Sequence, residues 1–226
     1  MSSLALASLY WVLLHFIVAG PLRPALAARV RERGFQGLFS LLSAAGLAWL
    51  IIAYAHAPYA PLWGAPPGAR ATALVLVLIA FLFFAYSLSG GNPTLVASPG
   101  GAQGPIAVVG ITRITRDPML WSFALWAAAH LYANGDVASV LLFGAILVTA
   151  LNGMLSIDRK RKRALGAAWD EFTARTSIIP FAAILAGRNE FRLDELPLWR
   201  AALGLGLFLV ALFAHPHVIG VSPLPG

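Results

Sequence analysis

His15 and His130 are the residues of this chain best placed to do chemistry. Each lies inside a hydrophobic stretch that contains no other acidic or basic residue. A membrane-buried imidazole is costly, so its default reading is functional. Each also has a tryptophan four residues earlier, Trp11 and Trp126, one helical turn away on the same face. Two imidazoles on two helices, each beside a flat ring, suit a flat metal cofactor gripped from both sides, and haem b is the cofactor that fits. The alternative use is interhelical hydrogen bonding, and the residues alone leave both open.

The absence of cysteine narrows the chemistry. It removes disulfides, thiolate haem ligation, iron–sulfur clusters, covalent haem attachment through C-x-x-C-H and cysteine nucleophiles. Any haem is therefore held non-covalently. Depth is the difficulty. His15 falls past the middle of its segment in one direction and His130 past the middle in the other, an offset of about 10 Å at ~1.5 Å per residue. Axial nitrogens on one metal stand only ~4 Å apart, twice the usual ~2 Å metal–imidazole bond.

The elements that must position these side chains are membrane helices. Hydrophobic residues make up 59% of the 226, and charged residues 11%, against about 25% in a soluble domain. Six apolar stretches, at 4–20, 37–56, 72–89, 118–134, 137–157 and 198–214, approach the ~20 residues that cross a bilayer core. A single all-α transmembrane bundle over residues 1–226 is expected, since closed helices leave no backbone group unpaired in lipid. The fourth stretch is short, as befits a helix sheltered by neighbours. Ala133-Asn134-Gly135-Asp136 turns it back into the fifth as an antiparallel hairpin.

Fifteen of the sixteen Lys and Arg lie in the loops after the first, third and fifth stretches; Arg70 is the exception. The positive-inside rule then places these loops in the cytoplasm and both termini outside, in a bacterial inner membrane. Topology rather than nucleic-acid binding accounts for the net charge of +7. Ala25-Leu26-Ala27 imitates a signal-peptidase site, but the segment before it has no basic n-region and is expected to stay attached.

Several local features have structural readings. Arg159 to Arg163, followed by Leu165, Ala168, Trp169 and Phe172 at helical spacing, predicts a basic amphipathic helix on the inner leaflet, in contact with anionic lipids. The Gly/Pro-rich run at 98–105 reads as a flexible connector, with no Gly-Lys-Ser/Thr to make a phosphate cradle. Asp117-Pro118 reads as an N-cap and first helical residue, and Asp136 as a second cap. Arg113 and Arg116, three apart, share a helical face and are candidates to pair with cofactor propionates, or else solvated topology charges. His56, His215 and His217 fall at the outer ends of stretches, where an imidazole costs little.

Several motifs together carry a resemblance. These are His15 with the following Pro21-Leu22-Arg23, then Arg33-Gly34-Phe35 and Ile111-Thr112-Arg113-Ile114-Thr115-Arg116-Asp117-Pro118-Met119. Trp126, His130, Ala133 to Asp136 and Arg175-Thr176-Ser177-Ile178-Ile179-Pro180-Phe181 complete the set. Over nearly the whole chain this pattern resembles the NnrU family, and through it the plant and cyanobacterial 15-cis-ζ-carotene isomerases. The resemblance implies a haem b bound through two histidines, at positions matching His15 and His130. It also implies a redox-dependent cis–trans isomerisation of a hydrophobic polyene. Asp117 stands where the family's Arg-His-Pro motif has histidine, and Ala127 where the plant enzymes have a cysteine, so neither of those side chains can act here.

The main alternative is a non-enzymatic NnrU-type haem protein in nitrite or nitric oxide metabolism, as sensor, electron carrier or accessory factor. A haem-free transporter or scaffold is a third reading. An isoprenylcysteine-type methyltransferase is a distant fourth, since no nucleotide-binding pattern is visible. Membrane lipids and a lipid-soluble polyene are the expected partners. No general acid or base can be named.

Overall fold

A computed structural model describes residues 1–88, 92–94 and 105–225. Among these the structure is helical with no β-strand, as expected. Nine helices follow in order: α1 (Ser2–Leu13), α2 (Arg23–Ala55), α3 (Ala69–Ser87), α4 (Ile111–Ile114), α5 (Pro118–Asn134), α6 (Val137–Leu165), α7 (Ala167–Arg175), α8 (Ala182–Leu185) and α9 (Leu198–Val218). The Gly/Pro-rich connector expected at 98–105 lies outside the described residues apart from Pro105.

Four of the helices, α2, α3, α6 and α9, are long and apolar enough to cross a membrane. The other two expected crossings are shorter. α1 with its continuation spans Ser2–Val18, and α5 has 17 residues. Length and composition thus support four crossings, and the count of six is not established. α2 leaves helical geometry at Arg31 (φ 64°, ψ 160°), which separates its arginine-rich start from the apolar part beyond. α1 passes at Leu14 into a π-helical turn over Leu14–Val18 that contains His15, with Ala19 N–H donating to Leu14 C=O at 3.0 Å.

The packing order across the bundle is α9, α3, α5, α6, α1, α2, each helix against the next. The principal core cluster joins Leu4 and Ala7 of α1, Leu50 and Ala53 of α2, Ala127 of α5, and Ala138, Leu142 and Phe143 of α6. Four of these are alanines. In lipid, where apolar surface gains little by leaving one hydrocarbon for another, small residues let helices approach and gain dispersion contacts.

The α5–α6 hairpin forms as read. Gly135 ends α5 in the left-handed region (φ 66°), and its carbonyl accepts from Leu62 N–H at 2.9 Å and Trp63 N–H at 3.0 Å. Asp136 caps α6: its Oδ1 accepts from Ser139 N–H at 3.0 Å. A Cβ on Gly135 would lie 2.3 Å from the Trp63 carbonyl oxygen. Gly135→Ala therefore meets both a steric clash and left-handed strain of ~1 kcal/mol. We expect it to lower the thermal midpoint of detergent-solubilised protein by several degrees, since ~1–2 kcal/mol moves a domain of this size by about 2–8 °C.

The segment read as a lipid-facing amphipathic helix folds differently. Arg159 to Arg163 are the last turns of α6, and the chain breaks at Gly166 (φ 56°) before α7. Trp169 and Phe172 of α7 are 2% and 1% exposed, packed with Val108, Ile106 and Leu165. The apolar face covers protein rather than lipid, because the 105–110 segment supplies a mate that the sequence does not reveal.

Candidate functional site

His130 lies one turn from the end of α5. Its Nδ1 is 2.8 Å from the Trp126 carbonyl oxygen. A carbonyl can only accept, so Nδ1 carries the proton and Nε2 keeps its lone pair. Backbone-tethered Nδ1–H with a free Nε2 is the arrangement found in metal-ligating histidines. The ring is held by Phe143, stacked at 4.6 Å and 24°, and by Trp126 at 4.6 Å. Trp126 therefore lies beside the imidazole as its spacing predicts; Phe143, on another helix, carried no sequence signal.

His130 lines a cleft of about 210 Å³ between α3, α5 and α9. Its walls include Leu74, Val77, Phe81, Trp126, Phe208 and Leu212, and its rim includes Arg70 and His215. His215 Nδ1 lies 2.7 Å from the Val221 carbonyl oxygen, so it too keeps Nε2 free. Reading His215 as merely interfacial needs correction: it shares the cavity of His130. Arg70, the one basic residue off the basic loops, borders the same cavity. His56, by contrast, is an exposed residue closing α2, with Nδ1 2.8 Å from Ile52 C=O.

His15 occupies another compartment. Its Nδ1 is 2.9 Å from the Trp11 carbonyl oxygen, and its ring meets Trp11 at 4.3 Å and the edge of Phe39 at 5.3 Å. It has the same tautomer as His130 and sits on a π-helical turn, a feature frequent at functional sites. The ring neighbours of His15 are Trp11 and Phe39, and those of His130 are Trp126 and Phe143; α6 packs against both α1 and α5.

Arg113 and Arg116 are engaged elsewhere. Arg113 Nε and Nη2 donate to Glu195 at 2.7 and 2.8 Å, and Glu195 also accepts from Gly110 N–H at 2.6 Å. The Arg113 guanidinium holds the Glu195 carboxyl below its usual range. Arg116 Nε and Nη2 donate to Asp158, both at 2.9 Å, and Trp169 Nε1–H donates to the same carboxylate at 3.2 Å. Each arginine forms a bidentate pair, the strongest geometry for this chemistry. Arg116 stands at the start of α5, ~18 Å of helix from His130. Its pair with Asp158 fastens the start of α5 to α6. Asp158 and Glu195 are the partners that sequence reasoning missed.

The two most specific motifs dock on each other. Arg116 N–H donates to Ser177 C=O at 3.0 Å and Phe181 N–H to Ile114 C=O at 2.8 Å. Thr115 Oγ1 and Trp121 Nε1 both donate to Ile178 C=O, at 2.6 and 2.7 Å.

Asp117 corrects a second reading. It occupies the N-cap position of α5 but makes no side-chain cap. It is 2% exposed, and its Oδ1 is buried without a hydrogen-bond partner. Burial pushes its carboxyl up to about 7, against the pull of Arg116. The folded state thus holds a proton that the unfolded chain releases near pH 4, so stability falls as pH rises from about 4 to about 7. Asp117→Asn should flatten that slope and raise the stability at pH 8 by on the order of 4 kcal/mol at most, read as a higher thermal midpoint. A midpoint at pH 8 unchanged by the substitution would refute this.

Among the described residues no three His, Asp or Glu side chains cluster to hold a metal ion. A bare zinc site takes at least three protein donors, whereas a porphyrin brings four nitrogens and asks the protein for one or two. The donor chemistry of His130, an imidazole nitrogen in apolar surroundings, fits one axial position of a haem.

The family model for the NnrU protein matches residues 3–223. The chain belongs to the NnrU family. This NnrU-family chain is 30% identical over 204 residues to the chloroplastic 15-cis-zeta-carotene isomerase of Arabidopsis thaliana, covering 85% of this chain and 54% of that protein. It is 33% identical over 116 residues to the chloroplastic 15-cis-zeta-carotene isomerase of Zea mays, covering 47% of this chain and 30% of that one. The chain spans about half the length of the curated relatives it matches, or less. No solved structure matches.

Proposed function

We propose that this NnrU-family protein is a membrane-embedded cis–trans isomerase of a lipid-soluble polyene, assisted by a non-covalent haem b held through His130. The observation that carries the reading is a tautomer-fixed imidazole in the wall of an apolar cleft. It occurs in a chain similar along most of its length to proteins named carotene isomerases. When bound, haem supplies an iron whose redox state and axial site govern its interaction with an alkene.

The protein's own part is positioning. Trp126 C=O orients His130 so that Nε2 faces outward from its helix turn, and Phe143 fixes the ring plane. Leu74, Val77, Phe81 and Phe208 keep water from a hydrocarbon chain beside it and offer dispersion contacts along its length. No side chain in the cleft is assigned as a general acid or base, and a cis–trans isomerisation adds and removes no net proton. His15, paired with His130 by the resemblance, is tested by the spectrum of His15→Ala.

The test is a reduced-minus-oxidised absorption spectrum of the detergent-purified protein, followed by chromatography of a cis-ζ-carotene incubated with the reduced form. A b-type spectrum with a new isomer peak is expected. A b-type spectrum with no isomer change would leave the sensor or electron-carrier reading. A colourless protein, still colourless after haem supplementation, would remove both readings.

A further inference from the structure

We infer that the cleft between α3, α5 and α9 is where the apolar chain of a conjugated polyene lodges, entering sideways from the bilayer between α5 and α9. The inference rests on the polyene reading above and assigns it a place and a direction of entry.

Three observations define the cleft. First, α9 packs along α3 but lacks a comparable seam with α5, so the side between α5 and α9 is open. Of the helices long enough to cross a membrane, α9 is also the least buried, with 6% of its apolar window inside the bundle. Second, the lining is aromatic and aliphatic at membrane depth, with Phe81 edge-on to Phe208 at 6.3 Å across the α3–α9 seam. Third, the end remote from the basic loops is crossed by residues 221–224. His215 Nδ1–H donates to Val221 C=O at 2.7 Å and Arg70 donates to Leu224 C=O at 3.4 Å. A ligand therefore has a blocked polar end and a lateral apolar mouth.

These features select the occupant. The lining is mainly apolar, with Arg70, His130, Asn134, His215 and Ser222 also bordering it, and the route in is through hydrocarbon. A linear, rigid and apolar molecule loses little conformational entropy on entering a narrow slot. The volume of about 210 Å³ falls below the ~300–1,000 Å³ of whole-ligand pockets. One end of a long polyene fits, with the remainder in the bilayer.

The chain has no cysteine, which makes the test clean. Leu212→Cys places one thiol in the cleft wall, and Val148→Cys places one on the exposed surface of α6. Both variants, in lipid nanodiscs, are labelled with a lipid-soluble maleimide, with and without a cis-ζ-carotene. The polyene is expected to slow labelling at position 212 about fivefold at roughly four times its Kd, because protection follows 1 + [L]/Kd. Position 148 should be unaffected. Equal slowing at both positions would mean partition into the bilayer only and would overturn the inference, as would no slowing at 212. Isomerisation without protection at 212 would overturn the inference and leave the isomerase reading standing. Protection without isomerisation would uphold the cleft and remove the enzyme. Should Leu212→Cys not fold, Val77→Cys, on the facing helix, gives the same reading.

Discussion

His130→Ala is expected to abolish the b-type spectrum and, with it, isomerisation of a polyene, lowering both haem retention and turnover by more than about 100-fold. The size follows from the bond removed. Loss of a partner that merely orients a ligating histidine costs about 10–100-fold in metal affinity, and removing the ligand itself costs more. Phe143 and Trp126 would then border a small void, which shrinks the apolar contact of the cleft as well. The measurement is a haem titration of purified variants, read by the reduced spectrum. His56→Ala is the control, because that exposed imidazole closes a helix and touches no cleft. His15→Ala discriminates. Its imidazole lies against Trp11 and Phe39. An unchanged spectrum in His15→Ala would leave His130 as the sole assigned ligand. A shifted spectrum in His15→Ala together with a normal one in His130→Ala would overthrow the assignment.

The second large effect is expected at Arg116. Replacing it with methionine keeps most of the side-chain volume and removes the charge that both oxygens of Asp158 meet at 2.9 Å. The Arg116 side chain is only 10% exposed. Breaking such a pair by deleting one partner costs about 3–5 kcal/mol, chiefly because the other charge is left poorly compensated. Asp117 adds to the penalty. Arg116 opposes the upward push on its carboxyl, so Arg116→Met should also carry the Asp117 titration higher and steepen the loss of stability with rising pH. Arg116→Met is therefore expected to unfold at a markedly lower temperature in detergent at pH 8. The double variant Arg116→Met, Asp158→Leu should recover much of the loss, since an apolar pair often replaces an ion pair at little cost. Recovery is the decisive reading: a double variant as unstable as the single one would show that Arg116 acts through something other than Asp158.

The sequence spoke clearly wherever one physical effect dominates over a long run of residues. Apolar stretches of membrane length became helices, and the Ala-Asn-Gly-Asp turn between the fourth and fifth became a hairpin at Gly135. Asp136 capped α6 because a carboxylate at that position finds an unpaired backbone N–H with little tertiary help. The histidine–tryptophan spacing was also sound. At both sites the tryptophan ring lies beside the imidazole, at 4.3 and 4.6 Å between centroids, a contact between residues one turn apart and so readable from one segment. The cysteine-free composition narrowed the chemistry for the same reason, since it depends on no geometry at all.

Errors arose wherever a residue's meaning depends on a partner far along the chain. Arg113 and Arg116 read as solvated topology charges or propionate partners, and their ion pairs went unseen because Glu195 and Asp158 lie 82 and 42 residues away. Trp169 and Phe172 read as a lipid-facing stripe because hydrophobic periodicity names a buried face without naming what buries it. Asp117 read as a cap because Asp before Pro is a common start signal, yet packing turned its carboxyl inward and left Oδ1 unpaired. His215 read as interfacial although α9 lies along α3 and brings it to the cleft of His130.

The amino-acid order alone thus determined an all-helical membrane fold and the two imidazoles worth testing, because bilayer energetics and intrahelical contacts act over a few turns. Only the tertiary structure decided which side chains share a cavity. Helix order across the bundle sets those neighbours, and it arises from long-range packing of small residues and buried ion pairs. For that reason His130 lines the cleft of α3, α5 and α9, while His15 packs against Trp11 and Phe39.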